Sequence, residues 1–190
     1  GMIMSLIHAF ASISLNADQT ISGTGINLIV NGITIFMAQI LFNADRTQPY
    51  QMGMKPIMSI GGIYPTAFIA LAVVLIVWFV MYKLPFGLRL RACGEHPQAA
   101  ASVGIKVKKI RYIAVLTSGF LGGLAGGCLV LTQTIQFTST TINGTGFIAL
   151  AAVSFGRWRP AGISLSSLLC GAAVAFSIYV VNIPSLKNLL

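Results

Sequence analysis

Few side chains in this sequence could carry acid–base or nucleophilic chemistry, and those few lie far apart. The acids are Asp18, Asp45 and Glu95, and the histidines are His8 and His96. No two carboxylates are paired, no nucleophile lies at a suitable spacing from a base, and no G-x-x-x-x-G-K-[ST] phosphate loop occurs. His8 lies in an apolar segment and is predicted to be a hydrogen-bonded packing residue. The sequence therefore predicts a protein that is not an enzyme, with no catalytic residue and no cofactor of its own.

The three cysteines do not form a metal-binding or disulfide pattern. Cys128 and Cys170 lie within apolar segments, whereas Cys93 lies in a polar segment between two of them. An odd number of cysteines at such wide spacing implies neither a disulfide framework nor a metal cluster. We therefore expect no metal site.

The composition is typical of a membrane protein. Apolar residues make up 56% of the chain and charged residues only 8%, whereas about a quarter of a soluble domain is charged. The pI near 10.0 does not require nucleic acid as a partner, because the basic residues adjoin apolar segments. The positive-inside rule explains that arrangement more simply.

Four apolar segments are long enough to cross a membrane as helices, which takes about 20 residues. They are Ile21–Phe42, Ile63–Tyr82, Ile110–Leu131 and Ala161–Val181. Two shorter apolar segments remain, Met2–Leu15 and Gly144–Gly156. The second is predicted to be a half-helix or re-entrant segment buried among other helices. The predicted fold class is an all-α, polytopic transmembrane helix bundle.

A basic polar segment separates the second and third of these spans. Residues 83–111, KLPFGLRLRACGEHPQAAASVGIKVKKIR, hold seven of the twelve Lys and Arg residues. Short basic loops are retained on the cytoplasmic side of the membrane. We therefore predict that the loop of residues 83–109 is cytoplasmic, that Asn43–Gly62 is external, and that Arg157–Pro160 returns to the cytoplasm.

A short internal repeat adds to this topology. Residues 20–26 read TISGTGI and residues 141–147 read TINGTGF, so that five of seven positions are identical. Three predicted crossings lie between the copies, which would place them on opposite faces of the membrane. This arrangement predicts an inverted-topology repeat, a common architecture of transporters. A chance match between two Gly- and Thr-containing segments is the alternative.

Small residues recur at four-residue spacing in the third span. They are Ser118, Gly119, Gly122, Gly123, Gly126 and Gly127. Such a strip lets a neighbouring helix approach closely. Ordinary helix packing explains it more simply than a sliding interface.

The polar loop and the segment after it resemble the permeases of ATP-binding-cassette (ABC) importers, in the group for branched-chain amino acids, ribose and nucleosides. The pattern G-x-x-P-x-A-A-x-x-x-G-I of that family is matched by Gly94, Pro97, Ala99, Ala100, Gly104 and Ile105. The following SGFLGGLAGG and the later GFIALAAVSFGRWRPAG resemble further family segments, and HAF…NADQTISGTGIN is most similar to nucleoside and simple-sugar permeases. Because those permeases are longer, the resemblance implies that residues 1–190 are a partial but single transmembrane permease domain.

Local chemistry predicts a short helix in the loop. Pro97 suits a first turn, Glu95 can lie near the positive helix end, and Gly104 can supply a left-handed stop. The residues alone leave two interpretations equally open, docking on a partner protein or lying at an anionic lipid surface.

The resemblance favours docking, because in the family this is the coupling helix that binds the ATP-hydrolysing subunit. The implied coupling residues are Gly94, Glu95, Pro97, Ala99, Ala100, Gly104 and Ile105. ATP and Mg²⁺ would then bind to a separate cytoplasmic ABC ATPase. The other implied partners are a second permease subunit (in a homo- or heterodimer), an external solute-binding protein and membrane lipid.

A solute path would be lined by uncharged polar and aromatic groups. The candidates are Thr24, Asn27, Asn31, Gln39 and Thr145, with Phe137 and Asn143 near the external mouth. Such groups suit a neutral hydroxylated solute, although interhelical hydrogen bonds, worth about 0.6 kcal/mol each on average, would use the same residues.

The predicted function is that of a permease subunit that moves a nucleoside or simple sugar across the bacterial inner membrane by alternating access. One alternative is an ATP-independent channel or secondary carrier, for which an acid or base within the membrane would be expected. The other is a non-transporting membrane scaffold subunit.

Overall fold

A computed structural model describes residues 1–43, 65–130 and 144–181 of the chain. The chain divides into two compact units, Gly1–Ile142 and Asn143–Leu190. The helices of the first unit are α1 (Met2–Ala9), α2 (Gln19–Phe42), α3 (Pro65–Lys83), α4 (Pro85–Glu95), α5 (Pro97–Ser102) and α6 (Val107–Leu129). Those of the second unit are α7 (Thr145–Phe155) and α8 (Pro160–Val181).

The predicted membrane-spanning segments are confirmed. The helices α2, α3, α6 and α8 are long and apolar enough to cross a membrane, and their bounds lie within three residues of those predicted. Their side chains are largely exposed, and none in α3 is buried. This is the expected state of helices whose apolar surface faces lipid or other helices rather than water. Over the described residues, every regular element is helical, as predicted.

In the first unit, α1 packs lengthwise against α6. A Cβ atom at Gly119 would overlap the Ser5 side chain, and Gly123 lies directly against Gly1. After Ala9 the chain widens into a π-helical turn, Phe10–Ser14. This turn is joined to α6 by a hydrogen bond of 2.6 Å between the Ser14 and Tyr112 hydroxyls.

The helix α2 begins at a side-chain cap and contacts α1 near that end. The Asp18 carboxylate accepts hydrogen bonds from the backbone N–H groups of Thr20 (2.8 Å) and Ile21 (3.1 Å). One turn further on, the Ser22 hydroxyl lies 3.0 Å from Nδ1 of His8. His8 is therefore a hydrogen-bonded packing residue, as its apolar surroundings predict.

The second unit is a hairpin of α7 and α8. Its tight turn contains Arg157 and Trp158 with φ of 52° and 59°. The backbones meet so closely at Gly156 and Gly162 that an added Cβ atom at either would overlap the other helix's end. The buried Ser166 hydroxyl donates to the backbone carbonyl of Ala152 at 2.6 Å, which fastens α8 to α7.

The short helix predicted at residues 144–156 is present as the 11-residue α7. Its re-entrant placement and the inverted repeat stay predictions, because each unit is described by itself. Residues 141–143 of the second repeat copy lie outside the described residues.

Candidate functional site

The basic segment forms an elbow, defined here as residues 84–110, that comprises α4, α5 and the first turn of α6. The chain leaves α3 in an extended conformation at Leu84 (φ −99°, ψ 146°), and Pro85 then opens α4. Proline is favoured there, since its fixed φ suits the first helical turn and its missing N–H is not needed. The elbow therefore starts with a sharp, locally encoded change of direction.

Gly87 allows α4 to lie against the end of α3. It is buried, and a Cβ atom there would overlap the carbonyl oxygens of Val80 and Met81. Backbone atoms cannot move aside as a flexible side chain could, so only glycine fits this approach without displacing α4.

An aromatic contact also joins these two helices. The guanidinium carbon of Arg91 lies 5.0 Å from the centroid of the Tyr82 ring. This cation–π contact contributes about 0.5–1 kcal/mol at an exposed site. Arg91 thus links α4 to the last turn of the membrane-length helix α3.

The helix α5 begins and ends where local chemistry predicts. Pro97 is its first residue, and Gly104 (φ +84°) follows its end in the left-handed region. The N–H of Gly104 donates to the Ala101 carbonyl (3.0 Å), and that of Ile105 donates to the Ala100 carbonyl (3.1 Å). These two bonds are the Schellman motif, which satisfies the last carbonyls of a helix.

A small apolar core holds α5 against its neighbours. Cys93 of α4, Ala100 of α5 and Ile110 of α6 are 2%, 5% and 9% exposed. Ile105 and Leu90 pack around them. The core therefore ties the three elements of the elbow together.

This core fixes the orientation of Ala100, one of the predicted coupling residues. Ala100 points inward because α5 packs its one buried position onto Cys93 and Ile110. Ala99 and Ala101 are exposed. Ala100 thus positions the helix, and only its neighbours are available for docking.

The outer side of the elbow carries a groove with apolar rims. Its volume is about 370 Å³, and it runs between α4 and α5. Val103 and Leu88, which line it, are 80% and 64% exposed. Glu95, the last residue of α4, lies in the same groove with His96 and Ala99. The groove thus combines apolar, acidic and imidazole groups on one accessible face.

The predicted coupling residues all lie within this elbow. Gly94 and Glu95 end α4, while Pro97, Ala99 and Ala100 belong to α5 and Gly104 and Ile105 close it. The structure brings them into one region of the first unit.

The predicted path residues are distributed over the two units, and their convergence on one path stays a prediction. Thr24, Asn27, Asn31 and Gln39 lie on α2, whereas Thr145 is the first residue of α7 in the other unit. Phe137 and Asn143 lie outside the described residues.

Only part of the small-residue strip of α6 contacts another helix among the described residues. Gly119 and Gly123 contact α1, and Gly122 lines a cavity of about 380 Å³ bounded by α1, α2 and α6. A Cβ atom at Gly126 or Gly127 would meet no described atom within 4 Å, and Ser118 is exposed.

Sequence reasoning missed α4 and its attachment to α3. Because residues 83–96 are polar and basic, their pattern predicts only part of a cytoplasmic loop. Pro85 at a first-turn position is the signal that could have located the helix. The contacts of Gly87 and Arg91 with α3 depend on how two helices approach in space, so no local pattern reveals them.

The chain resembles known permeases along its whole length. It is 42% identical over 202 residues to the guanosine ABC transporter permease protein NupQ of Bacillus subtilis, covering 100% of this chain and 63% of that protein. It is 38% identical to the nucleoside ABC transporter permease protein NupC of Lactococcus lactis, again over 100% of this chain and 63% of that one. The ribose import permease protein RbsC of B. subtilis is 33% identical over 104 residues, or 50% of this chain and 32% of its own length.

These matches set the scope of the assignment. The chain spans about 63% of the length of the first two relatives. No solved structure matches it. The four apolar helices, together with these relatives, indicate a multi-pass protein of the bacterial inner membrane.

The family described as "Branched-chain amino acid transport system / permease component" matches residues 1–190. The chain belongs to this family of transport permeases.

Proposed function

We propose that this chain is part of the transmembrane permease subunit of an ABC importer for a neutral nucleoside of the guanosine class, with a simple sugar as the alternative substrate. The observation that carries the proposal is the elbow. A short helix, α5, is held on a core of its own between two membrane-length helices and exposes one face. This is the arrangement expected of an element that receives a push from a soluble partner.

The contacts of the elbow suggest how such a push would spread. A displacement of α5 reaches α6 through the core of Cys93, Ala100 and Ile110. It reaches α3 through α4, which Gly87 and Arg91 hold against the end of that helix. Closure of two ATPase subunits on bound ATP and Mg²⁺ would therefore move α3 and α6 together and open the path alternately to each side. A second permease subunit and an external solute-binding protein complete the proposed assembly.

An ion-coupled carrier is less consistent with the residues. Such carriers commonly place an ionisable group at membrane depth. None of the four membrane-length helices α2, α3, α6 and α8 contains an acidic residue. His8, bonded to Ser22, is the titratable group among the described apolar helices that could serve, and its partner is a hydroxyl rather than a carboxylate.

Co-purification of the full-length permease with its cognate ATPase tests the proposal. Ala99→Trp and Val103→Asp change exposed groove positions and should abolish capture of the ATPase. Ala99→Ser keeps a small side chain and Val103→Ala keeps an apolar one, so both should preserve capture of the ATPase. If the native protein captures no ATPase, or all four variants capture it equally, the scaffold or carrier interpretation replaces the coupling role.

A further inference from the structure

One face of α2 carries every polar side chain but one between residues 20 and 38. Thr20, Thr24, Asn27, Asn31 and Thr34 are three or four positions apart. With 3.6 residues per turn they fall within an arc of about 80°. The exception is Ser22, which bonds to His8 on a different side of the helix. We call these five residues the polar arc.

The polar arc lies away from the neighbour that α2 contacts. Gly23, Ile26 and Val30 line the cavity that α2 shares with α1 and α6, at about 60°, 120° and 80° around the helix from the centre of the arc. Within the arc, Thr20, Thr24, Asn27 and Asn31 are exposed and Thr34 is half-buried. From Thr20 to Asn31 the arc is therefore exposed in the first unit.

The two amides at the centre of the arc have no partner in the part of the chain that the structure describes. Neither Asn27 nor Asn31 makes a side-chain hydrogen bond there. Both lie near the middle of a 24-residue apolar helix, where an unsatisfied amide in lipid is costly. Something polar must therefore face them: water, a solute or another helix.

Thr24 and Thr34, unlike the two amides, already donate their hydroxyl protons within α2. The Thr24 hydroxyl donates to the carbonyls of Thr20 and Ile21 (3.0 Å each), and that of Thr34 donates to the carbonyl of Val30 (2.6 Å). With their protons engaged, these oxygens can still accept. The arc thus offers two amides that donate and accept, flanked by hydroxyl oxygens that accept, and α2 carries no charge.

We propose that Asn27 and Asn31 form a nucleoside-binding site on the transport path, and this inference rests on the function proposed above. An asparagine amide can pair with a base edge that presents a donor beside an acceptor. Side chains four residues apart on a helix are about 5–6 Å apart, which is within the span of one nucleoside. The ribose hydroxyls would donate to Thr24 or Thr34. The absence of charge along α2 suits a neutral solute.

Cysteine accessibility in the full-length permease, reconstituted with its ATPase in proteoliposomes, tests this nucleoside-binding site. Every cysteine of the full-length protein, among them Cys93, Cys128 and Cys170, is first replaced by alanine, and a single cysteine is introduced as Asn27→Cys or Asn31→Cys. Ile29→Cys is the matched control, because Ile29 is 56% exposed but lies on another side of the helix. A membrane-impermeant methanethiosulfonate should modify positions 27 and 31 at least about tenfold faster than position 29. Guanosine should slow that modification, and glucose should not.

Uptake supplies the second measurement. Asn27→Leu and Asn31→Leu keep a side chain branched at Cγ but remove the hydrogen bonds, and each should lower maximal guanosine uptake at least about tenfold. Capture of the ATPase should not change. Asn27→Gln, which keeps an amide, should recover part of the uptake, whereas Ile29→Ala should leave uptake near the native rate.

The outcomes separate this inference from the function on which it rests. Equal modification at positions 27, 29 and 31, no protection by guanosine, or protection by glucose alone would overturn the nucleoside site. Loss of assembly in both leucine variants would also overturn it, since the amides would then join α2 to another helix or a second copy. A native protein that neither captures an ATPase nor imports with ATP would instead refute the importer function. Protection of positions 27 and 31 in that protein would still support the site.

Discussion

The elbow and the helix α2 are built in opposite ways. The elbow is short and polar, yet Cys93, Ala100 and Ile110 bury against one another within it. The helix α2 has 24 residues and is strongly apolar, yet only Ala38 is buried. The elbow is held in shape by its own internal contacts, whereas α2 leaves its surface exposed to lipid, water or other helices.

This difference matches what each region is proposed to do. An element that transmits a push needs a fixed shape, because a loose connection would absorb the displacement. A helix that lines a path needs a polar face left open to the solute. The comparison predicts that substitutions in the elbow act on stability through packing, whereas substitutions in α2 act through individual polar contacts.

The largest effect is expected where α4 meets α3. Gly87→Ala places a methyl group on the carbonyl oxygens of Val80 and Met81, and we expect it to destabilise the full-length protein by about 3 kcal/mol. Gly94→Ala is the matched control in the same helix, since its added methyl meets no described atom within 4 Å. Thermal unfolding of the two variants in detergent measures the difference. Equal melting temperatures would mean that α4 does not depend on this close approach.

A smaller effect is expected from overfilling the core of the elbow. Ala100→Leu adds volume beside Cys93 and Ile110, and should destabilise the elbow by about 1–2 kcal/mol because α5 can move partly outward. Ala99→Leu, one position away on the exposed side, should leave the unfolding temperature near the native value. Limited proteolysis within residues 96–106 would detect the displaced helix. If the two variants are cleaved alike, Ala100 does not anchor α5.

The sequence predicts the elements whose cause is local. Pro97 and Gly104 mark the ends of α5 because each acts through its own backbone conformation. The membrane spans follow from length and apolarity alone. The inward orientation of Ala100 is not predictable in this way. The helix α5 has only six residues, three of them alanine, so its sequence has no apolar periodicity that would define a buried face. The close approach at Gly87 depends on the path of α3, which residues near position 87 do not encode.

The polar arc of α2 falls between these cases. Its three- and four-residue spacing is present in the sequence, but the spacing alone does not say which face of α2 is already used. That information comes from the contacts of Ser22 and Val30 with the α1 side. Only with these contacts known do Asn27 and Asn31 stand out as amides without a partner in the described chain.

The contact between α1 and α2 should be weak and separable. The bond between His8 and Ser22 (3.0 Å) joins two apolar helices, and such interhelical bonds in membrane proteins contribute about 0.6 kcal/mol on average. A double-mutant cycle with His8→Ala, Ser22→Ala and the double variant should give a coupling free energy of that size. Thermal unfolding or steric-trap dissociation in bicelles can measure it. Strictly additive single effects would show that the two side chains do not interact in the membrane.

The smallest effect should come from the cap of α2. The backbone N–H groups of Ile21 and Thr20 donate to the Asp18 carboxylate and lower its pKa below the usual 3.8. Because folding lowers this pKa, the ionised carboxylate stabilises the cap at pH values above its pKa in the unfolded state. That stabilisation is lost as the pH falls below 3.8 and through the lowered pKa of the folded protein. Hydrogen exchange at Thr20 and Ile21, corrected for its intrinsic pH dependence, should therefore lose protection over this acid range.

Asp18→Asn provides the control for this titration. Asparagine keeps an oxygen that can accept from the same N–H groups, and it is as good an N-cap as aspartate, but its side chain does not titrate in this range. Its protection at Thr20 and Ile21 should stay nearly constant where that of the native protein falls. If both proteins lose protection together, the fraying comes from elsewhere in the first unit. The start of α2 would then depend on its neighbours as the elbow helices do, and the contrast between the two regions would not extend to this end of the helix.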